Sequence, residues 1–256
     1  MMRTGFLRGF AMCLVFVMLF SSACFAEDLS PKEDFLTVGN VVTFGHYEQD
    51  ADESNGPEPI EWIVLDVQDG KALLLSKYVL DAKPYYTEGT DITWETCTLR
   101  SWLNDDFLNA AFAEKERSAI LLTEVDNSKA QGFDWTTIRL SNLAVSGNNT
   151  QDKIFLLSWA EAEKYLETAV RDSDNPDKVY PKAQAAPTEY AARNGAVAYK
   201  TAEGDAAWWW WLRSPGSMQL IAANVSSDGS LSRSRVDGER GCVRPAFWLN
   251  LESDIF

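Results

Sequence analysis

The chain has 256 residues with 38 acidic against 23 basic side chains, a single histidine and a formal charge of −15. Such a balance repels phosphate backbones, and with no basic stripe along the chain it excludes nucleic acid as a partner and disfavours anionic lipid. One histidine also leaves Ser-His-Asp and Cys-His catalysis resting on His46 alone, which sits in Phe44-Gly45-His46-Tyr47 with no nucleophile motif beside it and reads as a solvated turn histidine.

Residues 1–26 read as an export signal: Arg3 and Arg8 precede an apolar stretch from Phe10 to Phe20 that ends in Ser21, Ser22 and Ala23. Cleavage after Ala26 removes two arginines and no acid, taking the charge from −15 to −17. The rival reading is a lipobox at Ser21-Ser22-Ala23-Cys24, with Cys24 acylated as the new N-terminus. The product is secreted in the first case and anchored to the cell surface in the second. No later segment is long and apolar enough to span a bilayer.

Residues 27–37 read as a linker, residues 38–251 as one globular domain and residues 252–256 as a tail. Strands are expected at Val41 to Phe44, Ile60 to Val67 and Lys71 to Ser76, the last two joined by Asp69-Gly70 as a type I′ hairpin. The acidic loop Glu48 to Glu58 lies between the first two. In it Asp50, Asp52 and the following Glu61 take the first, third and twelfth positions of a calcium loop, but Asn55 stands where the glycine belongs and the flanks are strands. A solvated loop is the plainer reading. Glu58 and Glu61 also suggest the two carboxylates of a glycosidase, although a chain with 38 acids provides such pairs by chance.

Thr96 to Phe112 carries helically spaced apolar residues interrupted by Asn104-Asp105-Asp106, giving two short helices, and a third runs from Glu114 to Leu122. Lys153 to Leu157 reads as a strand. Ser158 and Glu161 have capping-box spacing for a helix through Ala169. A polar excursion covers 172–187, a brief helix Thr188 to Asn194 ends at Gly195, and turns at Asp228-Gly229 and Asp237-Gly238 separate Ala222–Val225, Leu231–Val236 and Cys242–Leu251 into an antiparallel meander. The fold class is α+β: a compact domain of antiparallel sheets and short helices.

Four consecutive tryptophans, Trp208 to Trp211, alternate between the faces of a strand, which makes them the centre of a core with Trp208 or Trp209 left uncovered. An uncovered ring could stack on a sugar while Asn224, Asp228 and Arg233 hold its hydroxyls. Arg100, Arg213 and Arg244 are each embedded in apolar sequence and are expected to pair with acids and aromatic rings as structural braces. Cys97 and Cys242 remain in the mature domain, where a disulfide between them is compatible with the compartment and two free, buried thiols are the simpler state.

The segments Phe44-Gly45 with Tyr47, Pro59-Ile60-Glu61-Trp62, Trp94 to Asn104, Trp210 to Gly216 and Val243-Arg244-Pro245-Ala246 resemble an uncharacterised domain-of-unknown-function family of exported proteins from anaerobic Gram-positive gut bacteria. More distantly, Gly241 to Leu251 and the tryptophan-rich strand look like the end of the C-type-lectin-like fold, shared by formylglycine-generating enzymes and variable receptor proteins. The enzymes of that group use a cysteine pair, whereas this C-terminal half holds Cys242 alone, so the resemblance implies a scaffold for binding rather than oxidase chemistry. The expected function is a noncatalytic extracellular binding or adhesion module for a glycan or a surface protein. It needs no cofactor, and calcium at the acidic loop is the one metal candidate. The alternatives are a secreted enzyme, hydrolase or oxidase-like, and a structural envelope protein without a ligand site.

Overall fold

The computed structural model describes residues 29–134, 143–197, 199–200 and 206–256, so the signal-peptide and Cys24 readings lie outside the described residues. Its first sheet grows from the hairpin. Strand β1 is Val41–Tyr47, β2 is Glu58–Gln68 and β3 is Lys71–Ser76, and the turn between the last two places Asp69 at φ +48° and Gly70 at φ +70°. Both values fall where a type I′ turn requires them. Ile60, Trp62 and Val64 share one face of β2 and are fully buried, as a period of two dictates.

Within β1 the register slips between Thr43 and His46, where Gly45 has φ +72° and a Cβ would stand 2.6 Å from the Phe112 ring. This bulge admits the helical segment that packs across the strand. It also corrects the reading of His46, which is a strand residue only 8% exposed rather than a solvated turn residue.

That helical segment runs through α1 (Thr98–Trp102), a π-helical turn at Leu103–Phe107 and α2 (Leu108–Ala111), followed by α3 (Glu114–Ala119). The polar interruption therefore widens the helix instead of ending it. Asn104 in the widened turn accepts from the backbone N–H groups of Lys153 and Ile154 and donates to the carbonyl of Ile154. Held in this way, residues 153–157 do not form the expected strand. The strand lies just before them, as β6 (Thr150–Asp152) paired with β5 (Thr123–Val125), and Phe155 makes only an isolated bridge to Ala246.

The capping box at Ser158 and Glu161 is formed and starts α4 (Trp159–Leu166), which stops short of Ala169 because Glu167 takes a left-handed conformation, φ +53°. Helix α5 (Glu189–Arg193) is capped by Thr188.

The second sheet has the order β11-β10-β9-β12-β4. Its strands are β4 (Asp81–Ala82), β9 (Trp210–Pro215), β10 (Ile221–Val225), β11 (Leu231–Arg235) and β12 (Cys242–Val243), and β9 and β12 are parallel. The remaining short pair is β7 (Tyr199–Lys200) with β8 (Ala206–Ala207).

Here the meander is corrected. β10 and β11 form the expected hairpin, but Cys242–Leu251 breaks into β12 and β13 (Ala246–Asn250), and β13 pairs with β3 in the first sheet. Pro245 lacks the N–H that a continuing ladder needs, and its carbonyl receives the Ser76 N–H at 3.0 Å. The chain thus crosses between sheets at Arg244-Pro245. One hydrophobic cluster joins both sheets, so the α+β single-domain reading stands.

The core also takes in residues read as a linker and a tail. Lys32–Leu36 is a 3-10 turn whose Phe35 is fully buried and meets Phe256 edge-on at 5.2 Å. Among the described residues no helix is long and apolar enough to cross a membrane.

Candidate ligand-binding surface

In the tryptophan run, Trp210 and Trp211 are fully buried in β9, and their indole N–H groups donate to the carbonyls of Ala183 and Lys83, each at 3.0 Å. Trp208 is 9% exposed, with its N–H on the Arg240 carbonyl, and Trp209 alone is half-buried, edge-on to Trp211 at 4.7 Å. The expected sugar-binding set does not assemble around it. Asn224 is buried on β10 with its amide on Ser234, and Asp228 turns to Ser230 within its own turn. Arg233 is exposed on the edge strand β11.

The three arginines are braces of two kinds. Arg100 pairs with Asp152 at 2.6 Å and donates to the Glu95 carbonyl. Arg213, 2% exposed, grips both oxygens of Glu161 and donates to the carbonyls of Leu156 and Asp126. Arg244, 1% exposed, has no described carboxylate within salt-bridge reach. It donates to the Ser76 carbonyl at 2.8 Å and lies over the Trp210 ring at 5.0 Å, and burial pushes its guanidinium down to about 9.

Cys97 and Cys242 are both buried and free, so no disulfide joins them. Burial pushes the Cys97 thiol up to about 12 and raises that of Cys242 well above its ordinary value. Neither provides a thiolate near neutral pH.

The calcium-loop set comes apart. Glu61 on β2 bonds Lys77 at 3.0 Å and Asp52 accepts from Ser54, leaving Asp50 to approach different partners. Glu48, Asp50 and Glu58 bring carboxylate oxygens within 4.8 Å of one another, hard donors of the type a divalent cation takes. Burial first, then the charges of Glu58 and Asp50, raises the pKa of Glu48. Glu58 itself accepts from the Gln49 N–H at 2.6 Å, while Glu61, three positions on, faces the other side of β2, so these two do not make a glycosidase pair.

A different set of side chains does converge, on Asp81 in β4. This carboxylate is 1% exposed and accepts from the Ala82 N–H at 2.8 Å, the Asn194 amide at 2.9 Å and the Tyr47 hydroxyl at 3.1 Å, with the Lys83 ammonium at 3.5 Å. Burial, reinforced by the charge of Asp81, raises the Tyr47 hydroxyl and keeps it a donor. Tyr47 meets Tyr190 edge-on at 5.7 Å and Phe107 at 5.1 Å, Phe107 meets Trp102 at 5.4 Å, and Lys83 lies over Trp102 at 4.6 Å. Arg193 lies over Tyr190 at 5.4 Å.

Tyr47, Trp102, Tyr190 and Lys83 are half-buried, and Asn194 and Arg193 are exposed. Tyr47 and Trp102 are thus linked beneath the surface by buried Phe107, with hydrogen-bonding groups beside each ring. Sequence reasoning missed this set because β1, β4, α1 and α5 each contribute one or two residues from distant parts of the chain. The one local cue was an acid, Asp81, set between the apolar residues Leu80 and Ala82.

The model of one family, Domain of unknown function (DUF6273), matches residues 69–251. No curated protein and no solved structure matches the chain.

Proposed function

We propose that this chain, which belongs to the DUF6273 family of domains of unknown function, is a noncatalytic extracellular or cell-surface binding module whose partner is a glycan. The observation that carries this reading is the Asp81-centred surface. The half-buried rings of Trp102, Tyr47 and Tyr190 bring apolar surface for the C–H groups of a pyranose, and Asn194, Lys83 over Trp102 and Arg193 over Tyr190 bring donors for its hydroxyls. Its cations are each matched by an acid, Lys83 by Asp81 and Arg193 by Glu53, which suits a neutral sugar.

A catalytic reading has less support. Both thiols are held protonated by burial, and Asp81 is saturated by donors that fix it as an orienting group. The finer fold reading, a C-type-lectin-like scaffold, fits the return of β13 to the sheet that opens the domain. Export or a lipid anchor at Cys24 rests on the leader sequence, and calcium dependence is assigned to Glu48, Asp50 and Glu58.

The test is a glycan-array screen of residues 27–256 with and without calcium, followed by tryptophan-fluorescence titration of each hit. Trp102→Ala and Asn194→Ala should each weaken binding about tenfold or more, with circular dichroism checking that each variant stays folded, since Trp102 packs on Phe107 and Asn194 bonds buried Asp81. Absence of binding to glycans and to bacterial surface extracts would overturn the reading. Binding that survives both substitutions would move it off this surface.

A further inference from the structure

A second site lies on the other side of β1 from the Asp81 surface. His46 and Tyr47 are consecutive on that strand, so while Tyr47 turns to Asp81 the His46 side chain leaves by the opposite face. The bulge at Gly45 lets the Phe112 ring and the Ala111 carbonyl come against the strand, since a Cβ at Gly45 would stand 2.6 and 2.7 Å from them. Beside this close approach is a cleft of about 210 Å³ whose lining includes His46, Pro57, Phe112, Glu116 and Arg117. Sites for drug-sized molecules run to roughly 300–1,000 Å³, so the occupant of this one is smaller, and Pro57 and Phe112 give it an apolar wall.

Charge decides what kind of molecule fits. Arg117 is half-buried, and its Nη1 donates to the carbonyl of Phe112, which holds the guanidinium beside a residue of the cleft wall. Unlike Arg100 and Arg213, it has no described carboxylate within salt-bridge reach, and its Nε and Nη2 make no hydrogen bond among the described residues. The half-buried Lys153 ammonium donates to the Arg117 carbonyl and has no described acid within salt-bridge reach either. Burial first, and then the charge of Arg117, lowers the pKa of Lys153. Two cations therefore repel each other in a chain of net charge −15, and an anion in the cleft would relieve that repulsion. Glu116 is the one acid of the lining, and one of its oxygens is committed to the Ala113 N–H at 2.7 Å.

We propose that this cleft binds a small monocarboxylate, with its carboxylate on the Arg117 guanidinium and its short apolar chain against Pro57 and Phe112. Nε and Nη2 lie on one edge of the guanidinium and present two parallel N–H donors, the fork that a carboxylate accepts. Glu116 opposes the bound charge and keeps the affinity modest.

The test is a titration of untagged residues 27–256 with sodium propionate, followed by NMR through the ring signals of His46, which the chain's single histidine makes unambiguous. Sodium chloride at equal ionic strength and neutral propionamide are the controls. Propionate should shift these signals saturably, and the controls should not. Arg117→Gln should weaken binding about tenfold or more. Glu116→Gln keeps an acceptor for the Ala113 N–H while removing the opposing charge, and should tighten binding about threefold, a gain that a damaged fold does not produce. No saturable shift with propionate, equal shifts from either control, or an affinity unchanged in either variant overturns the proposal.

Discussion

In the four-stranded sheet β1, β2 and β3 follow one another along the chain, and only β13 arrives from far away. In the five-stranded sheet β9, β10 and β11 also follow one another, but β12 lies beside β9 and β4 beside β12, so Cys242 faces Ala82 across most of the sequence. Neighbouring strands can be specified by a turn and a hydrophobic alternation, which act locally. Strands of two residues, such as β4 and β12, cannot be specified in that way. They are held by long-range bonds from large side chains: Trp211 to the Lys83 carbonyl, Trp210 to the Ala183 carbonyl, Tyr85 to the Arg213 carbonyl and Arg213 to Glu161. The first sheet is built on turns, and in the second side chains bring β4 and β12 to a core of consecutive strands.

Trp211→Ala is the strongest challenge to that contrast. It removes a fully buried indole and orphans the Lys83 carbonyl, and should cost about 3–5 kcal/mol by denaturant titration. A cost below about 1 kcal/mol would mean that the second sheet does not depend on its side chains. Next, Arg213→Met should cost about 3 kcal/mol, because Glu161 and two carbonyls lose their donor. Arg244→Met, which strands no carboxylate, should cost clearly less, and equal losses would erase the distinction between the two arginines.

In the first sheet, Gly70→Ala forces a side chain into φ +70° and should cost about 1 kcal/mol, a smaller effect than either core change.

Dependence on pH separates two further buried groups. Between about 9 and the ordinary 12.5 of arginine, the unfolded chain holds a proton that folded Arg244 has lost, so the contribution of Arg244 to stability rises with pH across that window. Cys97 acts in the opposite sense. Its folded thiol keeps a proton up to about 12 that the unfolded thiol releases from 9.0, so its contribution falls as pH rises between those values. Denaturation of the parent, Arg244→Met and Cys97→Ala proteins at about pH 8 and about pH 11 separates them: the parent should gain on the arginine variant and lose ground to the cysteine variant.

Much of the first sheet was legible in the sequence. Asp69-Gly70 marks its hairpin, Lys71 to Ser76 has the observed bounds of β3, and Ser158 with Glu161 marks a helix start, because each signal is complete within a few residues. The break in Cys242–Leu251 was also written there, in Pro245, but an apolar run on either side masked a change of sheet. His46 is buried next to the bulge at Gly45, whose close approach to Phe112 no local pattern announces.

The candidate surface was the least legible part. In sequence Trp102 and Tyr47 are ordinary isolated aromatic residues, whereas the four tryptophans in a row are conspicuous and yet mostly core.

By itself the sequence determined the acidic charge, the local turns and caps and the burial of the tryptophan run and of two of its arginines, Arg213 and Arg244. Only the tertiary structure decided that Arg213 is neutralised by Glu161 while Arg244 rests on Trp210, that both cysteines stay apart, and that Tyr47, Lys83, Trp102, Tyr190 and Asn194 surround Asp81. Turns and caps depend on backbone preferences a few residues wide. A partner for a buried charge is set by which distant surfaces the core draws together, and hydrophobic burial, having no direction of its own, leaves that choice to the packing of the whole chain.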